Sequence, residues 1–183
     1  KKFKAKFRGM LGPEHGDVKS ITILNRTVTW TPKGIEYEAD ARHVAVVLKE
    51  LDFERRRPVT TTFGPDEQGC IAGEGELLDA GEATRYRAIV ARLNFLALDR
   101  ADIQYAVKES AKRMSAPRAP DFKLLKRSGR YLKGAPRVVQ LFAWQEEPGE
   151  LVAYVDSGWA GDRSSRKSTS GGVIFRGRHL VKS

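Results

Sequence analysis

An acidic, glycine-rich segment divides this chain and constrains its fold more than any other feature. Residues 64–82 contain five glycines, six acidic residues and one proline. They show neither the helical nor the strand periodicity of apolar residues. This composition predicts a linker, or a loop that orders only in context. The chain of 183 residues is long enough for one domain or for two small ones.

The residues before the linker predict a β-hairpin followed by a helix. Apolar and polar residues alternate over 18–39, and Asn25-Arg26 separates two runs. Asp40 is a favourable N-cap for the helix that follows, and Pro58 ends that element. The helix carries one apolar stripe, formed by Val44, Val47, Leu48 and Leu51.

The residues after the linker predict helices first and strands last. A wide apolar stripe predicts a helix of about four turns within residues 82–100, and a second helix follows over 101–114. We expect Asp99 and Asp102, at their junction, to cap helix ends. A third helix opens at Pro120 and closes at Gly134. Short apolar runs after residue 136 predict strands, so the fold class is α+β.

Charge is distributed unevenly around a net charge of +10. Residues 58–82 carry six acidic and no basic side chains, and the blocks on either side are basic. A basic surface attracts polyanions, although a charged, solvated face is the simpler alternative. The third predicted helix should carry the basic face, formed by Lys123, Lys126, Arg127, Arg130 and Lys133.

Several other classes of protein are not favoured by the sequence. No run approaches the roughly 18 apolar residues of a membrane span, and the basic N-terminus lacks an apolar signal-peptide core. We therefore expect an intracellular protein of the cytoplasm or nucleus without a membrane partner. Cys70 is the only cysteine, which excludes an internal disulfide and gives no support to a zinc site.

Three ordered stretches resemble the reverse transcriptase–ribonuclease H region of copia-type retrotransposon Pol polyproteins. They are RYRAIVARLNFLALDRADIQYAV at 85–107, KLLKRSGRYLKGAP at 123–136 and YVDSGWAGDRSSRKSTSGGVIF at 154–175. Departures such as Gly158, where the family usually has Asp, leave the fold pattern intact. The resemblance implies four parts: the end of the reverse transcriptase palm and thumb at 1–62, the linker at 63–82, a helical connection at 83–137 and the start of a truncated ribonuclease H-like sheet at 138–183.

The resemblance also gives Asp156 a candidate role. Residues alone allow a strand-end cap or a surface acid, whereas the family match implies the first carboxylate of a ribonuclease H site. Such sites hydrolyse RNA in an RNA–DNA hybrid with two Mg²⁺ ions, which prefer carboxylate oxygens. Asp156 would then be a catalytic residue and a magnesium ligand in the intact parent enzyme.

The resemblance implies that this chain lacks both complete active sites. No acidic residue follows Asp162, and no Asp-Asp pair of the polymerase type occurs in the sequence. We expect the missing acids upstream of Lys1 and beyond Ser183, so that this chain binds Mg²⁺ weakly if at all. Its expected partners are an RNA–DNA hybrid, bound through phosphates, and the rest of the polyprotein. The alternative is a degenerate or co-opted non-enzymatic module that binds nucleic acid.

Overall fold

Two antiparallel sheets and a group of helices make up the described part of the chain. The computed structural model describes residues 9–53, 56–64, 75–161 and 166–183. The first sheet has the order β1–β2–β3–β4, and the second has the order β5–β6–β7. This architecture confirms the α+β class. The strands are β1 Ser20–Ile23, β2 Arg26–Thr31, β3 Gly34–Glu38, β4 Val139–Ala143, β5 Leu151–Gly158, β6 Thr169–Arg176 and β7 His179–Lys182. The helices are α1 Ala41–Glu50, α2 Ala80–Ala97, α3 Gln104–Ala111 and α4 Asp121–Gly134, and a 3-10 turn lies at Ala101–Ile103.

The predicted hairpin is the first part of a three-stranded meander. Leu24 and Asn25 connect β1 to β2 with φ values of +49° and +64°. Two consecutive left-handed residues suit a tight hairpin turn, because their twist matches that of the flanking strands. A second turn at Pro32-Lys33 leads directly into β3, which pairs with β2. The hairpin is therefore confirmed, and a third strand extends it.

The helices enclose the main hydrophobic core. The Asp40 carboxylate accepts a hydrogen bond of 3.0 Å from the Arg42 amide, which confirms it as the N-cap of α1. Apolar residues from all four helices meet in one cluster that excludes water. The fully buried members include Val47, Tyr86, Ile89, Val90, Leu93, Leu125 and Leu132.

Part of the predicted linker is docked against the helices. α2 begins at Ala80, two residues before the predicted stretch, because the Asp79 carboxylate accepts a 2.8 Å hydrogen bond from the Glu82 amide. Just before it, the Leu78 amide donates to the Pro117 carbonyl at 3.0 Å. Residues 65–74, which include Cys70, lie outside the described residues.

The strand that follows α4 joins the first sheet, which differs from the predicted arrangement. We expected residues 138–183 to form one sheet, but β4 pairs antiparallel with β3, with Ile35 opposite Phe142. At the start of this pairing, Arg137 Nε donates to Glu38 Oε1 at 2.5 Å. Gly34, with φ of +152°, admits the Phe142 carbonyl oxygen where a Cβ would collide with it. The strand choice therefore depends on long-range contacts that periodicity does not reveal.

Strands β5 to β7 form the second sheet, and β7 contacts the first. Gln140 Nε2 on β4 donates to the Leu180 carbonyl at 3.0 Å, and the His179 ring nitrogen Nε2 lies 2.7 Å from the Ala143 carbonyl. On the opposite side, β5 is an edge strand whose residues are mostly exposed, including Val155 at 83%. Side chains of β4 and β7 thus hold the two sheets together, while the β5 edge stays open.

Candidate nucleic-acid interface

Asp156 lies near the end of β5, as predicted, with its side chain in an exposed position. It is paired with Gly171 of β6. Among the described residues, no group of three or more His, Cys, Asp or Glu side chains could hold a metal ion. Asp162 lies outside the described residues. The described residues therefore do not form a complete magnesium site around Asp156, and its role as a metal ligand stays a prediction.

Residues of the motifs at 85–107 and 123–136 form an ionic network around the buried Arg100 side chain. The Arg100 side chain is only 1% exposed, and its Nε and Nη2 atoms donate to the two Asp102 oxygens at 2.8 and 2.7 Å. Arg100 Nη2 also donates to the Ala135 carbonyl at 3.1 Å, and the Tyr131 hydroxyl donates to Asp102 at 2.7 Å. Burial acts to raise the pKa of Asp102, but bonds from Arg100 and Tyr131 outweigh it and hold that pKa below its ordinary value. This network joins the start of α3 to the end of α4.

A second network docks the first sheet on the helices. The Asp99 carboxylate accepts from Arg26 Nε at 2.7 Å and from the Tyr37 hydroxyl at 2.7 Å. Burial and the bond to Asp99 together raise the pKa of Tyr37 to about 12. The prediction that Asp99 and Asp102 cap helices is therefore wrong, because neither carboxylate makes a capping bond at this junction. Asp99 binds Arg26 and Tyr37, and Asp102 binds Arg100 and Tyr131.

The basic residues predicted on α4 have two different roles. Lys123 and Lys126 are exposed, whereas Arg127, Arg130 and Lys133 are partly buried. These three donate to the segment 56–61, which packs along the helix. The acceptors are the Thr61 hydroxyl at 2.7 Å, the Arg57 carbonyl at 2.8 Å and the Arg56 carbonyl at 2.8 Å, respectively. Part of the predicted basic face therefore holds a neighbouring segment in place.

That segment adds two arginines to the surface of α4. The backbone carbonyls of Arg56 and Arg57 face the helix, and both residues are exposed. Together with Phe53, Lys126 and Arg130 they line a depression of about 570 Å³. We call Arg56, Arg57, Lys123, Lys126 and Arg130 the α4 basic surface.

Sequence reasoning missed the contribution of Arg56 and Arg57. The signal was present, since three consecutive arginines at 55–57 precede Pro58. What the sequence did not reveal is that α4 would bind the carbonyl groups of this run. These bonds order the backbone that carries two cations, so the positive charge of the run and that of the helix lie together. Such an arrangement is suited to contacts with phosphate groups, which depend on charge and not on sequence.

The helices of the described residues give no sign of a membrane segment. None of them is both long enough and apolar enough to cross a bilayer.

Comparisons with known proteins agree with the motif resemblance. The chain is 33% and 31% identical, each over 150 residues, to the retrovirus-related Pol polyproteins from transposons RE1 and RE2 of Arabidopsis thaliana, matches that cover 82% of the chain. It is also 41% identical over 171 residues to an uncharacterized mitochondrial protein of that plant, covering 93% of the chain and 66% of that protein.

Two further comparisons set the limits of this relationship. No family model matches the chain, and no solved structure matches it. The matches to RE1 and RE2 cover 10% of each polyprotein, so the chain spans about a tenth of their length. The shared region nevertheless covers 82% of this chain. The chain thus belongs to the copia-type, retrovirus-related Pol polyproteins of transposons.

Proposed function

We propose that this chain contacts the RNA–DNA hybrid between the polymerase and ribonuclease sites of a transposon Pol polyprotein. The α4 basic surface supplies the contacts, and the rest of the polyprotein supplies the complete active sites. The observation that carries the proposal is the binding of the Arg56 and Arg57 carbonyls by Lys133 and Arg130, which brings the arginine pair onto the basic helix.

The chemistry of these residues favours binding to the nucleic-acid backbone. Guanidinium groups donate several hydrogen bonds in a planar fork, and lysine ammonium groups act as compact point charges. Both bind phosphate oxygens, and neither reads a base unless it reaches a groove edge. The surface should therefore hold hybrids of different sequence with similar affinity.

Salt dependence tests the proposal quantitatively. Each lost phosphate contact lowers the slope of log affinity against log salt by about 0.9. The variant Arg57→Gln/Lys126→Gln should therefore reduce that slope by about 2. Between 50 and 200 mM salt, the wild-type affinity should then fall about twelvefold more than that of the variant. Fluorescence anisotropy of a labelled hybrid measures both dissociation constants.

A matched variant controls for the loss of net charge. Lys33 and Lys182 are exposed, lie in a turn and at the end of β7, and are not part of the α4 basic surface. Lys33→Gln/Lys182→Gln removes the same two charges and should leave the slope near that of the wild type. If both variants lower the slope equally, or if wild-type affinity does not change with salt, the α4 basic surface is not the interface.

The same proposal places Asp156 in the nuclease centre of the parent enzyme. A hard cation such as Mg²⁺ takes carboxylate oxygens, and Asp156 would supply one of them. The described residues do not supply the others. We expect the chain alone to cleave no hybrid when Mg²⁺ is added. Cleavage that disappears in Asp156→Asn would contradict the proposal, because it would show a complete site within this chain.

A further inference from the structure

A partly buried glutamine connects the two sheets at the turn between β6 and β7. Gln145 lies in the connection between β4 and β5, and its side-chain amide binds this turn. We propose that Gln145 is a positioning residue, which holds the sheet that carries Asp156 at a fixed distance from the α4 basic surface. The inference rests on the proposed function, in which that surface binds the hybrid. It adds the residue that determines where Asp156 lies relative to the surface.

The Gln145 amide binds both sides of the turn. Its Nε2 donates to the Arg176 carbonyl at 3.0 Å, and its Oε1 accepts a hydrogen bond of 2.9 Å from the Arg178 amide. Nε2 also lies 3.2 Å from His179 Nδ1. A glutamine side chain presents a donor and an acceptor side by side, and the turn offers a partner for each. We call these contacts the Gln145 clamp.

Gly177 leaves the space that the amide occupies. Its φ of +58° suits a residue without a side chain. A Cβ at this position would lie 2.5 Å from Gln145 Oε1 and 2.9 Å from Nε2, so a side chain there would displace the amide. Because the amide fits closely against the turn, the second sheet cannot shift relative to Gln145 without breaking the clamp.

His179 extends the clamp to the first sheet. Its Nε2 lies 2.7 Å from the Ala143 carbonyl, and its ring meets the Phe142 ring edge to face, with 5.4 Å between the ring centres. A carbonyl oxygen only accepts hydrogen bonds, so Nε2 donates, and in the neutral ring Nδ1 is then the acceptor of the Gln145 bond. Gln145 therefore orients the imidazole that binds the end of β4.

The two ends of β6 are attached to the rest of the chain in different ways. Near its start, Lys108 Nζ on α3 donates to the Thr169 hydroxyl at 3.0 Å. A lysine carries its ammonium group on a flexible four-carbon stem, so this bond tolerates several orientations of the sheet. At the other end, the clamp binds backbone groups of the turn through a shorter, partly buried side chain. Asp156 is paired with Gly171 between these two ends, so the clamp determines the orientation of the strand that carries it.

A distance between two spin labels tests the proposal without nucleic acid. Labels at Asp156→Cys and Lys126→Cys, both exposed positions, report the separation of β5 from the α4 basic surface, and Cys70→Ser removes the only native cysteine. With Gln145 in place, pulsed double electron resonance should give a single narrow distance distribution. Gln145→Met keeps the length of the side chain but removes the bonds of the clamp, so the narrow distribution should be lost.

Glu147→Ala is the matched control, because it removes a surface ion pair with Arg176 at the same turn. It should leave the distribution narrow, whereas Gly177→Ala should broaden it by displacing the amide. If Gln145→Met lowers the Tm but the distribution stays narrow, Gln145 only stabilises the chain and the proposal is wrong. Equal broadening in Glu147→Ala would also overturn it, because any change at the turn would then have the same effect.

Hybrid binding separates this inference from the proposed function. Gln145→Met leaves the α4 basic surface unchanged, so its affinity for the hybrid and its salt slope should equal those of the wild type. If the wild type does not bind the hybrid, the proposed function fails, whereas the loss of the narrow distribution in Gln145→Met still supports the clamp. If the hybrid binds as predicted but the distribution stays narrow in both Gln145→Met and Gly177→Ala, the clamp proposal fails and the proposed function stands.

Discussion

Replacing Asp102 with alanine should destabilise the chain strongly, because it removes the main partner of a buried cation. The Arg100 side chain is 1% exposed, and its two bonds to Asp102 measure 2.8 and 2.7 Å. After the substitution, the guanidinium keeps its bond to the Ala135 carbonyl but loses the carboxylate that balances its charge. The charge cannot be neutralised by deprotonation, since arginine stays protonated at all accessible pH values.

The size of the effect follows from the burial of the two partners. Removing one member of a buried pair typically costs about 3–5 kcal/mol. Asp102 itself is 27% exposed, so water can partly replace it and the lower end applies. We therefore expect a loss of about 3 kcal/mol in the free energy of unfolding. For a chain of this size, that loss should lower the Tm by about 6–12 °C.

Thermal unfolding followed by circular dichroism at 222 nm measures this change, because the helices joined by the network dominate the signal. The control is Glu147→Ala, which removes a surface ion pair with Arg176. The Glu147 side chain is 86% exposed and that of Arg176 is 51% exposed. Surface pairs contribute little, so the control should change stability by about 0.5 kcal/mol or less.

A double variant separates the unpaired charge from the loss of packing. Arg100→Met/Asp102→Ala removes the cation together with its partner, and apolar replacement of a whole buried pair is often neutral. The double variant should therefore be more stable than Asp102→Ala alone. If it is less stable, or if Asp102→Ala resembles the Glu147 control, the network does not stabilise the fold in the way that we infer.

Three other changes test separate parts of the structure. Gly129→Ala should destabilise the chain by about 1 kcal/mol in urea unfolding, because the new Cβ would lie 2.6 Å from a Leu51 side-chain atom and 2.7 Å from a Phe53 side-chain atom. The cost of this overpacking exceeds the gain in helix propensity, so a stabilised variant would contradict the close approach. Val155→Lys should reduce concentration-dependent association in sedimentation velocity, since a lysine protects the apolar edge of β5; equal association would show that this edge is not the contact. The pKa of Asp102 is lowered in the folded state, so its ionised form stabilises the fold fully above the unfolded pKa of about 4, and this stabilisation is lost as the pH falls through the folded pKa. Asp102→Asn should therefore make the free energy of unfolding less dependent on pH below about 4.

Helix faces, caps and turns were predictable from the sequence where interactions between neighbouring residues determine them. The apolar spacing of Val44, Val47 and Leu51 placed one face of α1 in the core, and Asp40 marked its first turn. The turn between β1 and β2 was also predicted to within one residue. In these cases the determining contacts lie within a few positions of the residue concerned.

Long-range contacts explain what the sequence did not reveal. The run that forms β4 fits the edge of either sheet by its periodicity, and its choice depends on Gly34 and on the pair formed by Arg137 and Glu38. Asp99 looked like a cap because it follows a helix, yet its partners are more than sixty positions earlier in the chain. Sequence position alone does not identify such partners.

The residues of the Arg100 network and the two arginines at 56 and 57 have different physical roles. Arg100, Asp102 and Tyr131 belong to the motifs that carry the family resemblance, and they bind one another within the fold. Arg56 and Arg57 lie outside those motifs, and their side chains belong to an exposed surface. A substitution in the first group should therefore reduce stability and hybrid binding together, whereas one in the second should reduce hybrid binding alone. Measuring both quantities in the same variants separates the residues that stabilise the fold from those that we propose contact the hybrid.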